Sequence, residues 1–301
     1  MLNIIGNKNT FLAISAALIA VAIAAIIVFG FREGIDFRGG TLWSVSVGDA
    51  ATTAEDMERA FRDDLGAADA HVAREATGGY LVKLPALDES QHTTYAGKLA
   101  ARFPGFAERS FQSIGPSVGA ELRKNAMIAI VLVLVGISLY IAFAFRKVMR
   151  PVSSWTYGSI TLVTLFHDVA IPAGMLAALG HYRGIEIDGN FVVALLVVMG
   201  FSVHDTIVVF DRIRENLFHD RGKSPFSVVV NNSVNQSIAR SVNTSFTLIL
   251  VLVALYVAGP ATLSFFILTL LVGVTTGIYS SIFVASPLLV VWQHIRSRKA
   301  G

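Results

Sequence analysis

Six apolar stretches dominate the sequence, and each is long enough to cross a lipid bilayer. A transmembrane helix needs about 17 to 25 mostly apolar residues, and the stretches that meet this length are 10–31, 126–145, 155–179, 191–210, 242–258 and 263–292. Only 15% of the residues are charged, against about 25% in a typical soluble domain. The sequence therefore predicts a polytopic α-helical membrane protein, with spans numbered 1 to 6 along the chain.

The basic residues of the short connections predict an orientation. They gather between spans 2 and 3, between spans 4 and 5, and after span 6, and they are Arg146, Lys147, Arg150, Arg212, Arg214, Arg221, Lys223, Arg240, Arg296, Arg298 and Lys299. The opposite short connections hold only Arg183. Because cytoplasmic connections carry the excess of Lys and Arg, we expect both termini in the cytoplasm, including the basic tail 293–301.

One large polar segment, 32–124, separates span 1 (1–31) from the bundle of spans 2 to 6 (125–292) and is expected outside the cytoplasm. TLWSVSV, HVAREAT, YLVKLPA and ERSFQSIG have the pattern of strands, whereas TTAEDMERAFRDDLG and DESQHTTYAGKLAARF have helical spacing. The order βαββαβ predicts an extracytoplasmic α+β domain of the ferredoxin-like kind. His71 and His92 are isolated in it and are more typical of surface histidines than of metal ligands, so we expect a binding or docking module.

The stretch GIDFRGGT lies where the chain leaves span 1. Gly34, Gly39 and Gly40 allow tight turns or a close approach of the backbone, and Asp36 lies between them. Two interpretations remain open, a turn at the start of the outer domain and a contact for a partner protein.

Two spans carry a His-Asp pair in otherwise apolar sequence. His204 and Asp205 lie in span 4, and His167 and Asp168 lie in span 3, where Pro172 leaves the carbonyl of Asp168 without its helical partner. An Asp near the centre of a membrane helix costs about 2.5 to 3.5 kcal/mol and normally faces a bundle interior or a wet cavity. Such a carboxyl is either a structural hydrogen-bonding group or a working ionisable group, and two of them in one chain favour function.

Charged residues near the cytoplasmic face have a structural and a functional interpretation. Arg240, at the start of span 5, is the candidate cation for a buried carboxyl, although ordinary anchoring at the membrane surface explains it as well. Asp211 and Arg212, at the end of span 4, are predicted to belong to an interfacial salt-bridge cluster. Ser224 and Pro225 are expected to begin a separate loop helix that ends near Arg240.

Small residues at four-residue spacing predict faces for close helix packing. They are Gly273, Gly277 and Ser281 in span 6, and Ala16, Ala20 and Ala24 in span 1.

The composition excludes several classes of protein. The chain has no cysteine, so disulfides, thiol nucleophiles and Cys-ligated zinc are excluded. The net charge of +3 gives no case for nucleic-acid binding. No cofactor and no metal site are predicted, and an intramembrane hydrolase built on the two His-Asp pairs is disfavoured because adjacent helical residues point about 100° apart and rarely chelate together. The chain is not expected to be an enzyme.

Several motifs carry a specific resemblance that runs from the first span to the last. GIDFRGGT, IGPSVGAELR, LFHDV, GFSVHDTIVVFDRIREN, ARSVNTS and GIYSSIFVASPLL resemble the SecF family, the smaller subunits of the bacterial SecDF protein-export complex in the resistance-nodulation-division superfamily. The resemblance implies a multi-pass inner-membrane protein that works with SecD. It would use the proton-motive force to draw unfolded preproteins through SecYEG, with YajC and YidC as further partners and Na⁺ as an alternative coupling ion.

The resemblance also implies roles for individual residues. The proton-relay aspartate of the family falls on Asp205 and its essential arginine on Arg240, while His204 stands where the family usually has Asn. His167 and Asp168 are included in the predicted proton relay. GIDFRGGT and DRIREN match family signatures, so Gly34, Asp36, Gly39, Gly40, Asp211 and Arg212 are expected to have structural or coupling roles.

Two alternatives stay open. The chain is a purely structural subunit that holds SecD and the translocon together, or it is a proton-coupled transporter of small molecules from the same superfamily. The second is disfavoured because one outer domain of roughly 90 residues is small for a substrate cleft of about 300 to 1,000 Å³.

Overall fold

The computed structural model describes residues 1–49, 51–75, 78–146 and 152–300 of the 301-residue chain. Lys147 and Arg150, which contribute to the predicted orientation, lie outside the described residues. The chain forms two compact units, one made of 1–32 with 128–301 and the other of 33–127.

Six helical segments of the described chain are long and apolar enough to cross a membrane. They are α1 (Lys8–Phe29), α5 (Pro116–Ala144), α6 (Ser154–Arg183), α7 (Gly189–Asp220), α8 (Phe226–Ala258), and α9 (Ser264–Ser280) continued by α10 (Ser286–Ala300). The predicted fold class is thereby confirmed. A π-helical turn, Ser281–Ala285, joins α9 to α10 just before Pro287, whose ring nitrogen has no hydrogen to give to the preceding turn.

The helix ends follow local sequence signals. Gly184 ends α6 in the left-handed conformation, with φ of 69°, which costs a glycine little. Asp188 then caps α7, because its side chain accepts a hydrogen bond from the backbone N–H of Phe191 at 3.0 Å. At the other end of α7, Ser224 donates from both its backbone N–H and its hydroxyl to Asp220.

The expectation of a separate loop helix before span 5 is wrong. α8 is continuous from Phe226 to Ala258, so Arg240 lies inside a helix and not at the start of one. The physical reason is that residues 226–258 contain no glycine and no proline, so nothing in the sequence breaks the helix between its polar and apolar halves.

The α+β domain between α1 and α5 has the predicted βαββαβ order. Its elements are α2 (Ile35–Arg38), β1 (Gly40–Ser46), α3 (Ala54–Arg59, continued as a π-helix to Asp64), β2 (His71–Arg74), β3 (Tyr80–Leu84), α4 (Glu89–Arg102) and β4 (Ala107–Ile114). The strands form one antiparallel sheet in the order β2-β3-β1-β4, which is the ferredoxin-like arrangement. The core is built around the fully buried Trp43, Met57 and Phe61.

His92 packs against the edge of this core and is not isolated, although its side chain is 16% exposed. Its ring stacks on Phe111 with centroids 3.7 Å apart and meets the edge of Trp43 at 5.0 Å. Its Nε2 lies 2.6 Å from the Glu108 carboxylate, which also accepts a hydrogen bond from the indole N–H of Trp43 at 2.8 Å. The histidine therefore ties α4 to the sheet.

Small residues allow close helix contacts in the membrane unit, as predicted for span 6. Gly273 and Gly277 are buried, and a Cβ atom on Gly273 would overlap the side chain of Val198 in α7. The three evenly spaced alanines of span 1, Ala16, Ala20 and Ala24, do not pack within this chain, since they are exposed. The buried residues of α1 are Ser15 and Ala22, because α1 packs on α6 through the face that fits Gly174.

The segment before α1 is held against α8. Ile4 and Ile5 are buried in the membrane unit, and two asparagines one helical turn apart on α8 bind the backbone beside them. Asn235 accepts from the N–H of Leu2 at 2.8 Å and donates to its carbonyl at 2.9 Å, while Asn231 accepts from the N–H of Ile5 at 3.1 Å.

Candidate functional site

His167 and Asp168 of α6 lie in the centre of the membrane unit, and neither has any solvent exposure. The Nδ1 atom of His167 lies 2.8 Å from Asp168 Oδ1. The other carboxylate oxygen of Asp168 accepts hydrogen bonds from Ser202 of α7 and from Ser280 of α9, the latter at 2.6 Å. Asp168 thus has three hydrogen-bonding partners and joins three helices, as a buried carboxyl requires.

One face of α7 carries the polar contacts of the bundle. Ser202, Asp205 and Thr206 lie at positions i, i+3 and i+4, which share a helix face. They contact three different helical segments, since Ser202 donates to Asp168 of α6, Asp205 accepts from Ser245 of α8, and Thr206 bonds to Ser281 in the π-helical turn. We call this set the polar seam, and its members are Asp168, Ser202, Asp205, Thr206, Ser245, Ser280 and Ser281.

Asp205 is nearly as buried as Asp168 but much less strongly bonded. It is 2% exposed, and the described side chain that bonds to its carboxylate is Ser245, whose hydroxyl lies 3.3 Å from Oδ2. No Lys, Arg or His nitrogen of the described residues lies within the 4.0 Å of an ion pair. A carboxylate with one long hydrogen bond has lost its water without gaining full compensation from the protein.

Arg240 and His204 form no ion pair with this carboxyl among the described residues. Both are exposed, and the Arg240 guanidinium forms no ion pair with a described residue. His204 precedes Asp205 directly and so points about 100° away from it on α7. The described structure therefore brings Asp205 and Asp168 into one seam, with His167 buried against Asp168, and leaves Arg240 and His204 exposed.

Comparison with known proteins places the chain in a family. The profile of the C-terminal part of the protein export membrane proteins SecD and SecF matches residues 95–295, and the SecD/SecF GG motif matches residues 24–48. The protein translocase subunit SecF of Thermobaculum terrenum is 42% identical over 98% of this chain and 95% of its own length. The chain belongs to the SecD/SecF family.

Solved structures of this family share the fold. A crystal structure of SecDF from Thermus thermophilus superposes with a TM-score of 0.81 at 34% identity, over 97% of this chain and 39% of that one. SecDF in a super-membrane-facing form gives a TM-score of 0.71 at 34% identity, with 99% and 40% covered. The chain thus spans about two fifths of these longer SecDF polypeptides, whereas it covers almost the whole of the separate SecF relatives.

The GG motif of the SecD/SecF family has a direct structural explanation here. Gly39 has φ of 77°, and a Cβ atom on it would lie 2.8 Å from Cα of Pro116, the first residue of α5. Gly40 has φ of 135° and lies beside Ile35. Gly34 caps the short helix α2, and Asp36 accepts a weak hydrogen bond from Gln112 of β4 at 3.5 Å. The motif builds the turn at the start of the domain, and its use as a partner contact remains a prediction.

The stretch DRIREN at the end of span 4 forms the predicted salt-bridge cluster. Asp211 pairs with Arg214 at 2.6 Å, and Arg212 pairs with Glu215 at 2.6 Å. Arg212 also donates to Gln236 of α8 at 2.7 Å. α7 continues to Asp220, past the predicted end of span 4, because these polar residues keep bonding to α8.

Sequence reasoning missed the serines that complete the site. Ser202, Ser245 and Ser280 are ordinary small polar residues in sequence, and their importance comes from facing a carboxyl on another helix. A signal was present for Ser202, since it precedes Asp205 by three residues and therefore shares its helix face.

Proposed function

We propose that this chain works with SecD in a bacterial inner membrane to draw unfolded preproteins through SecYEG at a late stage, powered by the flow of protons. Family membership and the names of its relatives, translocase subunits SecF and SecDF, support the role in protein export. Both termini are cytoplasmic in this proposal, which the distribution of basic residues supports. YajC and YidC are further partners of the same assembly.

Asp205 is the group that takes up and releases the proton. The observation that carries this assignment is the contrast between the two buried carboxyls. Asp168 has three hydrogen-bonding partners and no exposure, so changing its charge would disrupt contacts among three helices. Asp205 has a single side-chain hydrogen bond of 3.3 Å from the described residues, so its charge can change while the bundle stays packed. We therefore assign His167 and Asp168 a supporting role in holding the seam that presents Asp205.

SecD covers the face that carries Arg240 and His204. On α8 the exposed polar residues Arg240, Asn243, Thr244 and Thr247 follow helical spacing along one face. A polar face is expensive in lipid and is normally covered by protein or lines a wet cavity. Arg240 then approaches Asp205 or a carboxyl of SecD as this chain and SecD move relative to each other. The approach changes the free energy of the charged carboxylate.

Replacing Asp205 by Asn tests the function. We expect Asp205→Asn to insert, to co-purify with SecD and to fail in preprotein export when it is the only copy in depleted cells. Asp188→Asn is the matched control, because it makes the same substitution on the same helix and Asn caps a helix as well as Asp does. Export in sodium-free medium shows whether protons suffice.

One outcome of this experiment favours the structural alternative, and a second variant tests the supporting role of Asp168. If Asp205→Asn exports like the unmodified chain, the buried carboxyl is structural and the chain is a scaffold for SecD. Asp168→Ala is expected to lower the yield of assembled complex, because it leaves the hydroxyls of Ser202 and Ser280 and the ring of His167 without their shared acceptor.

A further inference from the structure

Four serines of α8 lie on one buried face. Ser233, Ser237, Ser241 and Ser245 are four residues apart, and their exposures are 0%, 5%, 1% and 0%. Residues at this spacing lie one above another on a helix, about 6 Å apart along its axis. We call this row the serine ladder.

The serine ladder runs between Asp205 and the charged end of α7. α7 and α8 are antiparallel, since Ser245 bonds to Asp205 while Ser233 accepts from Asn216 at 2.8 Å. The middle rungs, Ser237 and Ser241, therefore lie alongside the stretch of α7 between those two residues. α7 buries Val209 and Ile213 in that stretch, so the ladder provides the hydroxyls that connect the two polar ends.

Ser241 has a hydroxyl that is buried and without a partner among the described residues. Its neighbours differ, because Ser245 donates to Asp205 and Ser237 donates to the carbonyl of Ser233 at 3.0 Å. Buried polar groups in proteins are nearly always hydrogen-bonded, and bound water is a common partner. The hydroxyl of Ser241, one turn from the serine that holds Asp205, therefore needs a partner such as water to satisfy it.

The spacing of the ladder suits a chain of hydroxyls and waters. Two consecutive O–H···O hydrogen bonds that meet at the tetrahedral angle of a water span about 4.5 Å and three span about 6 to 7 Å, and the rise between rungs is about 6 Å. Two hydrogen-bonded waters between each pair of serines therefore give a continuous row of groups that both donate and accept. The hydroxyls of Ser233 and Ser237 donate to carbonyls of their own helix, so they join the row by rotating about the Cβ–Oγ bond. Each member then receives a proton on one side and passes another on from the opposite side, so no group in the row changes its net charge after a transfer.

We propose that Ser237, Ser241 and Ser245, with the waters they hold, form the path by which protons pass between Asp205 and the polar end of α7 and α8 at Asn216. This inference rests on the proposed role of Asp205. When Asp205 is protonated, the carboxylic acid gives its proton to Ser245, each hydroxyl and water of the row passes one proton to the next, and one proton leaves to bulk water beside Ser233 and Asn216, so that Asp205 is left as a carboxylate.

A pair of isosteric variants tests the path. Ser241→Thr and Ser241→Val have the same shape, but only the threonine keeps a hydroxyl. In vesicles that contain the chain with SecD and a pH-sensitive dye, we expect Ser241→Thr to keep its proton flux within about twofold of the unmodified complex. We expect Ser241→Val to lose about tenfold or more. Equal flux in the two variants overturns the proposal.

Two controls keep the test decisive. Should both larger side chains prevent assembly with SecD, Ser241→Ala is compared with Ser138→Ala, whose lost hydroxyl bonds only to the carbonyl of Leu134 in its own helix α5. Equal flux in those two variants also overturns the path. Asp205→Asn separates a failure of the proposed function from a failure of the serine ladder. Unchanged proton flux in that variant contradicts the proposed function, whereas abolished flux together with a fully active Ser241→Val contradicts the ladder alone.

Discussion

Gly174 of α6 packs directly against Ala22 of α1. A Cβ atom on Gly174 would lie 2.5 Å from Cα of Ala22 and 2.7 Å from its carbonyl oxygen, so the two helices touch through their backbones. Such contacts give membrane helices much of their packing energy.

Replacing Gly174 by Ala should separate α1 from α6. Because the added methyl group meets backbone and not a movable side chain, we expect a loss of about 1 to 3 kcal/mol, seen as a lower midpoint of unfolding of the purified protein in detergent. Gly200→Ala on α7 is the matched control, since a Cβ there meets nothing within 4 Å. Equal midpoints for the two variants would contradict the backbone contact.

The pair Thr206 and Ser281 should respond unequally to substitution. Their hydroxyls are 2.9 Å apart, and Ser281 also donates to the carbonyl of Gly277 at 2.9 Å, so Thr206 is the donor within the pair. Ser281→Ala leaves that donor without an acceptor and should cost about 1 to 2 kcal/mol, whereas Thr206→Val removes the donor itself and should cost less. A double-mutant cycle of unfolding free energies measures the coupling, and equal costs with no coupling would refute this assignment.

His92 should contribute strongly to the stability of the outer domain. His92→Ala removes the ring that stacks on Phe111 and the contact to Glu108, and we expect a loss of about 1 to 3 kcal/mol. Faster hydrogen exchange in β1 and β4 of the full chain would report it. His71→Ala, at an exposed position of β2, should leave exchange unchanged.

The first turn of α3 should depend on pH through Asp56. Hydrogen bonds from the Thr53 side chain and backbone hold the pKa of Asp56 below its ordinary value of 3.8. The stabilisation is therefore complete above pH 3.8 and is lost as the pH falls through the lowered pKa of the folded state. Amide protection factors across Ala54–Arg59 should fall in that acidic range. Asp56→Asn should remove this dependence, and a dependence that persists would exclude Asp56 as its source.

Long-range periodic features were predictable from the sequence, whereas contacts between helices were not. The six apolar spans and the βαββαβ order follow from hydrophobic patterns of fixed period. The exposed Ala16, Ala20 and Ala24 show the limit, because small residues fit a close contact but do not specify which face meets a neighbour. The position of Gly174 on another helix decides that, and it is invisible in the sequence of α1.

The candidate site was only partly predictable, because its contacts join residues of different helices. A carboxyl in an apolar span is conspicuous, so Asp168 and Asp205 were identified, but their serine partners on α7, α8 and α9 become meaningful only after the helices are packed. The continuity of α8 was predictable from its lack of glycine and proline, yet the change from polar to apolar residues at Arg240 suggested a boundary.

The docking of residues 2–5 onto α8 has a consequence for the synthesis of the protein. Leu2 and Asn235 are 233 positions apart in sequence, so their contact cannot form until the ribosome has made most of the chain. Until then Ile4 and Ile5 lack the apolar pocket that later buries them, and a translation product that stops before α8 keeps them available to membrane chaperones and proteases. The docked segment therefore marks a polypeptide whose synthesis has reached the start of α8.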